Sequence, residues 1–138
     1  MLQVVKTTKD HLNKIKLQPE QADEFVNIDV NGMHSIVDDN GNVFVLFKAV
    51  IFWKGRGQFK SFISADAGKH LFGIIKILKQ LYVKYAPERL EVEVLESFAN
   101  GKRLVQLFKF EKESVMKRYY AGKDYGLWVK FKEIYYEN

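Results

Sequence analysis

Between Phe59 and Phe110 the spacing of hydrophobic positions changes repeatedly, and each change marks an element. Phe59-Lys60-Ser61-Phe62-Ile63 alternates weakly, as a strand does, and runs into the turn Ser64-Ala65-Asp66-Ala67-Gly68. Leu71, Ile74, Ile75, Leu78, Leu81, Tyr82 and Tyr85 then recur at three- and four-residue steps, which predicts one long helix buried along one face. Ala86-Pro87 ends it, because proline disfavours the helical conformation in the residue before it. Leu90-Glu91-Val92-Glu93-Val94 alternates with period two, the pattern of a half-buried strand. Ser97 stands where it can cap a second helix, with Leu104, Leu107 and Phe108 as its apolar face. A strand–helix–strand unit of this length predicts two parallel strands joined by a right-handed crossover.

The remaining elements flank this unit. Leu2 to Lys6 is a short strand, and Thr8 caps a helix from Lys9 to about Lys16. Leu17-Gln18-Pro19-Glu20 starts another helix, with proline in its first turn and Ala22, Phe25 and Val26 on its apolar side, and Asn31-Gly32 breaks it. Met33–Val37 and Val43–Trp53 form a hairpin around Asp38-Asp39-Asn40-Gly41-Asn42. Val43–Trp53 is apolar at nearly every position, so cover is expected on both faces. Lys54-Gly55-Arg56-Gly57 turns into the next strand. Ser114–Tyr120 and Tyr125–Ile134 close the chain around Ala121-Gly122-Lys123-Asp124. The order is strand, two helices, three strands, helix, strand, helix, two strands. The expected fold class is α/β (α+β): a mixed central sheet with helices on both faces, in a single domain over residues 1–138.

Composition narrows the chemistry. A length of 138 residues suffices for one core, and 47% apolar with 28% charged residues suits a folded chain. The absence of cysteine excludes disulfides, thiolate zinc sites and cysteine nucleophiles. His11, His34 and His70 have no metal-ligand spacing. Residues 1–10 lack the apolar core of a signal peptide, and no apolar run is long enough to span a bilayer, so a cytoplasmic location and no membrane partner are expected. The net charge of +5 would attract anions. Lys54, Arg56 and Lys60 lie near Trp53 and Phe59, a basic–aromatic cluster of a kind that can bind nucleic acid, but a solvated hairpin tip is the preferred reading. Nucleic acid is not the expected partner.

The start of the long helix, Asp66 to His70, offers backbone N–H groups without intrahelical partners at the positive end of a helix dipole, a place where a pyrophosphate can sit. Every α/β protein has such helix starts, and most bind nothing.

Several local sequences carry a resemblance. Leu90-x-Val92-x-Val94-Leu95-Glu96-Ser97, then a helix, then Leu107-Phe108-Lys109-Phe110, resembles the fifth strand, fourth helix and Gly-Phe segment of the GNAT superfamily of acyl-CoA N-acyltransferases. Arg118-Tyr119-Tyr120-x-Gly122-x-Asp124-Tyr125-x-Leu127 resembles its final hairpin. Leu17-x-Pro19-Glu20-x-Ala22-x-Glu24 and Lys69-His70 are similar to the short GNAT-like proteins of podophages, including the internal virion protein of T7-like phages. The resemblance implies that acetyl-CoA lies along the end of the family's fourth strand, here Phe62, Ile63 and Ser64. The pyrophosphate would meet the segment Gly68, Lys69, His70, Leu71, Phe72 and Gly73. Gly68, Leu71 and Gly73 fall on the family's Arg/Gln-x-x-Gly-x-Gly/Ala pattern, and only the last glycine is kept. The family's helix asparagine falls at Phe98, with Asn100 nearby. Its thiolate-protonating tyrosine falls at Val105, and the glycine of Gly-Phe is Lys109. The strand Gln58–Ser64 carries no glutamate to act as base. Glu91, Glu93, Tyr119 and Tyr120 are the titratable groups the resemblance leaves near the expected cleft, and each reads first as an ordinary strand residue.

Two functions follow from the resemblance. One is a divergent N-acetyltransferase that moves acetyl from acetyl-CoA to a primary amine. The other is a catalytically inactive GNAT-fold phage structural or interaction protein, with phage virion proteins as partners and the host cytoplasm or virion as its location.

Overall fold

The structure, a computed structural model, describes residues 1–133, and the expected strand end at Ile134 lies outside the described residues. The elements are β1 (Gln3–Lys6), α1 (Lys9–Lys14), a 3-10 turn (Pro19–Gln21) leading into α2 (Ala22–Phe25), β2 (His34–Val37), β3 (Val43–Trp53), β4 (Arg56–Ile63), a second 3-10 turn (Ala67–His70), α3 (Leu71–Tyr85), β5 (Arg89–Leu95), α4 (Ala99–Leu107), β6 (Glu111–Tyr120) and β7 (Lys123–Phe131). This is the expected succession. The strands form one seven-stranded mixed sheet in the order β1-β2-β3-β4-β5-β7-β6. The parallel pair is present, with Arg56, Gly57 and Gln58 opposite Arg89, Leu90 and Glu91 and α3 as the crossover. The pairs β1–β2, β2–β3, β5–β7 and β6–β7 are antiparallel. Among the described residues no helix is long and apolar enough to cross a membrane.

Contacts gather into two units, the first made of Met1–Ala49 with Lys60–Gln80 and the second of Val50–Phe59 with Leu81 onward. In the first, Thr8 caps α1 as expected: its hydroxyl accepts from His11 N–H and its own N–H donates to His11 Nδ1, both at 3.3 Å. Histidine thus fills the capping-box place usually held by Glu or Gln. Its Nδ1 also lies 2.9 Å from Ser35 Oγ, a fully buried hydroxyl that bonds Thr7 Oγ1 at 2.7 Å. The helix expected after Pro19 is cut short at Phe25, two residues before Asn27 takes φ 64°. Ile15, Met33, Val37, Val43, Leu46 and Phe62 form the core of this unit. A β-bulge lets Val43 and Leu46, three apart, reach the same cluster: Val37 pairs with Val43 and Ile36 with Val45, so Phe44 is the extra residue.

Cover on both faces of β3 holds only for Val43–Phe47. Val50, Ile51, Phe52 and Trp53 are 42%, 50%, 51% and 59% exposed. At 11 residues β3 is about twice the usual strand length and outruns the elements that bury its first half. The α3 face centres on Ile74 and Leu78, while Tyr85 is mostly exposed.

In the second unit Val94, Leu95, Phe98, Val105, Tyr125 and Trp128 form the core. Here α4 turns a different face inward than its sequence suggests. Val105 is buried, Leu107 is 48% exposed, and the residue before the helix is Phe98, not Ser97. Phe98 and Val105 are two turns apart and share one side with Gly101, where a Cβ would stand 2.6 Å from the Phe98 ring. Lys132 closes the C-terminal end of α3, donating to Val83 C=O at 2.6 Å and more distantly to Tyr82 and Ala86 C=O.

One buried charge organises the sheet face of this unit. Glu91 is 4% exposed and accepts from Arg56 Nε at 2.7 Å and Nη2 at 3.2 Å, and from Arg89 Nε at 2.8 Å. Arg89 also forks onto Glu113 at 2.9 and 2.7 Å. Two cations of the basic–aromatic cluster are engaged within the chain: Arg56 holds Glu91, also covering the Phe52 ring, and Lys60 pairs with Glu24. Hydrogen bonds from Arg56, then from Arg89, outweigh desolvation and hold the Glu91 carboxyl down at about 2, against 4.5 for a free one. A folded-state value below the unfolded one means that the stability is present above pH 4.5 and is lost as pH falls toward 2, by on the order of 3 kcal/mol. Denaturant unfolding between pH 7 and 2.5 should show this acid loss in the wild type. Glu91→Gln should be less stable at pH 7 and lose much less on acidification; an equally steep acid loss in the variant would refute the assignment.

Candidate functional site

The sequence-expected residues fall into three local arrangements, each within one unit. The first is the β5 face of the second unit. Arg89, Glu91 and Glu93 alternate with Leu90, Val92 and Val94, so the three polar side chains share one face. Glu91 has both oxygens held by guanidinium groups, which argues against its acting as a base. Glu93 is half-buried and accepts from Gln58 Nε2 at 3.4 Å. It also accepts a hydrogen bond from the Tyr119 hydroxyl, and that bond, followed by burial, pushes the tyrosine up to about 12.

A bulge aims Tyr119 there. Met116 pairs with Tyr125 and Tyr120 with Lys123, so three residues of β6 oppose one of β7. Arg118 takes φ 49° in this bulge, and its N–H donates to Asp124 Oδ1 at 2.9 Å. The Tyr119 and Tyr125 rings lie 5.8 Å apart. Spacing in the sequence does not betray such a bulge.

The second arrangement is the end of β4 in the first unit. Phe62 is a core side chain, packed edge-on against Phe25 at 5.3 Å. Ser64 N–H donates to Phe44 C=O at 2.8 Å, so it faces β3, while Ser64 Oγ accepts from Asp66 N–H at 3.1 Å. Successive residues of a strand turn their backbone groups to opposite edges. Ser61 and Ile63 therefore turn theirs away from β3, and three of those groups, the Ser61 C=O and the Ile63 N–H and C=O, are already bonded. Gln21 Nε2 donates to Ser61 C=O at 2.9 Å, Ile63 N–H donates to Gln21 Oε1 at 3.4 Å, and Gln18 Nε2 donates to Ile63 C=O at 2.8 Å. Neither glutamine stands out in the sequence, because the contacts cross 40 to 45 residues.

The third arrangement is the turn from β4 into α3. Lys69 is exposed, and Phe72 is 87% exposed and fills nothing. The His70 ring sits on Phe44 at 4.5 Å. Leu71 N–H donates to Gly68 C=O within the 3-10 turn, so the backbone donor expected there for an anion is in use. A Cβ on Gly68 would meet nothing within 4 Å, whereas one on Gly73 would stand 3.1 Å from Leu2 Cδ1. The retained glycine thus admits a side chain of its own unit. Lys16 pairs with Asp66 at 2.7 Å before the helix start. Asn100, on α4, accepts from Arg103 at 3.5 Å.

Tested against acyl-CoA, these residues fit in part. The open side of Gly68 leaves room at the helix start, but the outward edge of β4 is closed by Gln18 and Gln21.

No family model matches the chain, and no curated protein matches it in sequence. Solved structures do match. They include an acetyltransferase of the GNAT family from Bacillus anthracis, at 7% identity and TM-score 0.71 over 94% of each chain. The ribosomal-protein-S5-alanine acetyltransferase from Vibrio fischeri matches at 13% identity and TM-score 0.66, over 94% of this chain and 92% of that one. The spermidine/spermine N-acetyltransferase from Vibrio cholerae gives the same identity, score and coverage. With these neighbours matching its seven-stranded mixed sheet and helices over nearly its whole length, the chain has the GNAT fold.

Proposed function

We propose that this chain is a divergent N-acetyltransferase that takes acetyl-CoA as donor and a primary amine as acceptor. The Tyr119–Glu93 pair carries the reading, and the shared fold supports it. Two of the similar structures are named for spermidine/spermine and for a ribosomal-protein alanine, which supports an amine acceptor.

Acetyl-CoA supplies an activated thioester. The chain's part is proton traffic. An attacking amine must lose a proton, and Glu93 is the carboxylate of this face that two guanidinium groups do not hold. Tyr119 keeps its own proton while it donates to the Glu93 carboxylate, because that hydrogen bond is the first cause of its raised value, with burial next. Once Glu93 takes a proton it is a weaker acceptor, that first cause is reduced, and the tyrosine hydroxyl becomes a stronger acid. It can then protonate a leaving sulfur and recover its proton from Glu93 along the same hydrogen bond. One observation favours a second reading, a fold kept without acyl-CoA binding: the bonded edge of β4.

Acetyl-CoA at about 100 times its Kd should stabilise the protein by about 2.7 kcal/mol and raise its Tm by several degrees. No shift at millimolar acetyl-CoA would refute donor binding. In a coupled thiol-release assay Glu93→Gln should lower kcat by about 10²–10⁴. Tyr119→Phe should lower kcat with little change of profile shape between pH 6 and 9, because a hydroxyl held near 12 stays protonated throughout that range. Wild-type rates in both variants would remove the pair from the mechanism.

A further inference from the structure

Residues 16–24 run alongside the outward edge of β4 in opposite direction, and their contacts fall on alternate residues of the chain leaving β4, at Ala65, Ile63 and Ser61. Ala65 N–H donates to Lys16 C=O at 2.7 Å, Gln18 reaches Ile63, and Gln21 reaches both Ile63 and Ser61. Ion pairs fasten both ends, Lys16 to Asp66 and Glu24 to Lys60. Gln21 is 7% exposed, so its amide is shielded from water where it meets the strand. The segment is not itself a strand: it holds only a 3-10 turn and a four-residue helix, and two side-chain amides take the place of a neighbouring backbone.

We propose that this segment is a strap that occupies the β4 edge in place of an extended, amide-bearing ligand, and that such a ligand binds only when the strap lifts. A primary amide offers one carbonyl acceptor and N–H donors. Gln18 and Gln21 spend these on Ile63 N–H, Ile63 C=O and Ser61 C=O, the groups that a chain of secondary amides would need. Strap and ligand are therefore mutually exclusive at Ile63. The 3.4 Å contact to Ile63 N–H is the longest of the set, beyond the usual range, and is the bond that opens most readily. The proposal rests on the acetyl-CoA reading for its ligand, since pantetheine is an extended chain with two amides.

The strap makes the lifted fraction limit apparent affinity. Gln18→Ala and Gln21→Met each remove the amide, and methionine keeps the buried length. In amide hydrogen exchange without ligand, Gln21→Met should speed exchange at Ile63 by about tenfold, while Ser64, bonded to β3, stays unchanged. In calorimetric titration each variant should bind acetyl-CoA at least about threefold more tightly than wild type. Unchanged exchange at Ile63 overturns the strap. So does wild-type binding that the variants leave equal or weaken, and in that case the acetyl-CoA reading survives. Binding by neither wild type nor variants at millimolar acetyl-CoA overturns both. Gln18→Ala alone, at a half-buried position, carries the binding test if Gln21→Met does not fold.

Discussion

A strand that carries unpaired N–H and C=O groups into the interior of a protein must find partners for them, because each orphaned group costs free energy comparable to a lost hydrogen bond. The second half of β4 meets this constraint through side chains. Its parallel register with β5 runs from Arg56 to Gln58, while Ser61 and Ile63 are bonded by glutamines from the turn before α2. Much of the first unit follows. Pro19 opens the turn that presents Gln18 and Gln21, Phe25 packs on Phe62 from the short helix beyond, and Lys16 and Glu24 pin the ends.

The second unit is built around a different constraint, a carboxylate that folding removes from water. Burying Glu91 is tolerable only with its charge balanced and its oxygens bonded. Arg56 does this from the neighbouring strand β4 and Arg89 from two residues back on β5 itself, and Glu113 takes up the remaining valence of Arg89. The neutralised group leaves Glu93, one strand step away on the same face, as the carboxylate that Tyr119 meets. Two glutamates that look equivalent in Leu90-Glu91-Val92-Glu93-Val94 thus have different surroundings, two guanidinium groups for one and Gln58 with Tyr119 for the other.

The fold was largely legible in the sequence because local periodicity and turn chemistry agree along most of the chain. The apolar spacing from Leu71, the proline at 87, the Asn40-Gly41 turn and the alternation at Leu90 each mark a real boundary. What stayed hidden depends on distance in the chain or on small shifts of phase. The inward face of α4 differs from the expected one because the side of Leu104, Leu107 and Phe108 stands about 100° from that of Phe98, Gly101 and Val105, and the core with Val94 and Trp128 takes the latter. The apolar content of β3 says nothing of how far the covering elements extend, so Val50–Trp53 look buried and are not. Of the candidate site residues, Glu93 and Tyr119 do meet, through a bulge that no spacing reveals. The partners of Ile63 lie more than 40 residues away and have no motif.

The strand order also has a consequence in time. Synthesis delivers β5, then β6, then β7, yet β7 lies between the other two and pairs with both. Until Lys123–Phe131 has left the ribosome, β5 and β6 have no common neighbour and the face of Glu91 and Glu93 has no far side. The carbonyls at the end of α3 wait as well, for Lys132. Once residues 60–80 have been made, they and residues 1–49 can gather the first unit's core, Phe62 included, while translation continues, but the second unit is completed late, with its strand edges open until then. A pause or premature stop in the codons for β7 would therefore release a chain with one half folded and the other half sticky.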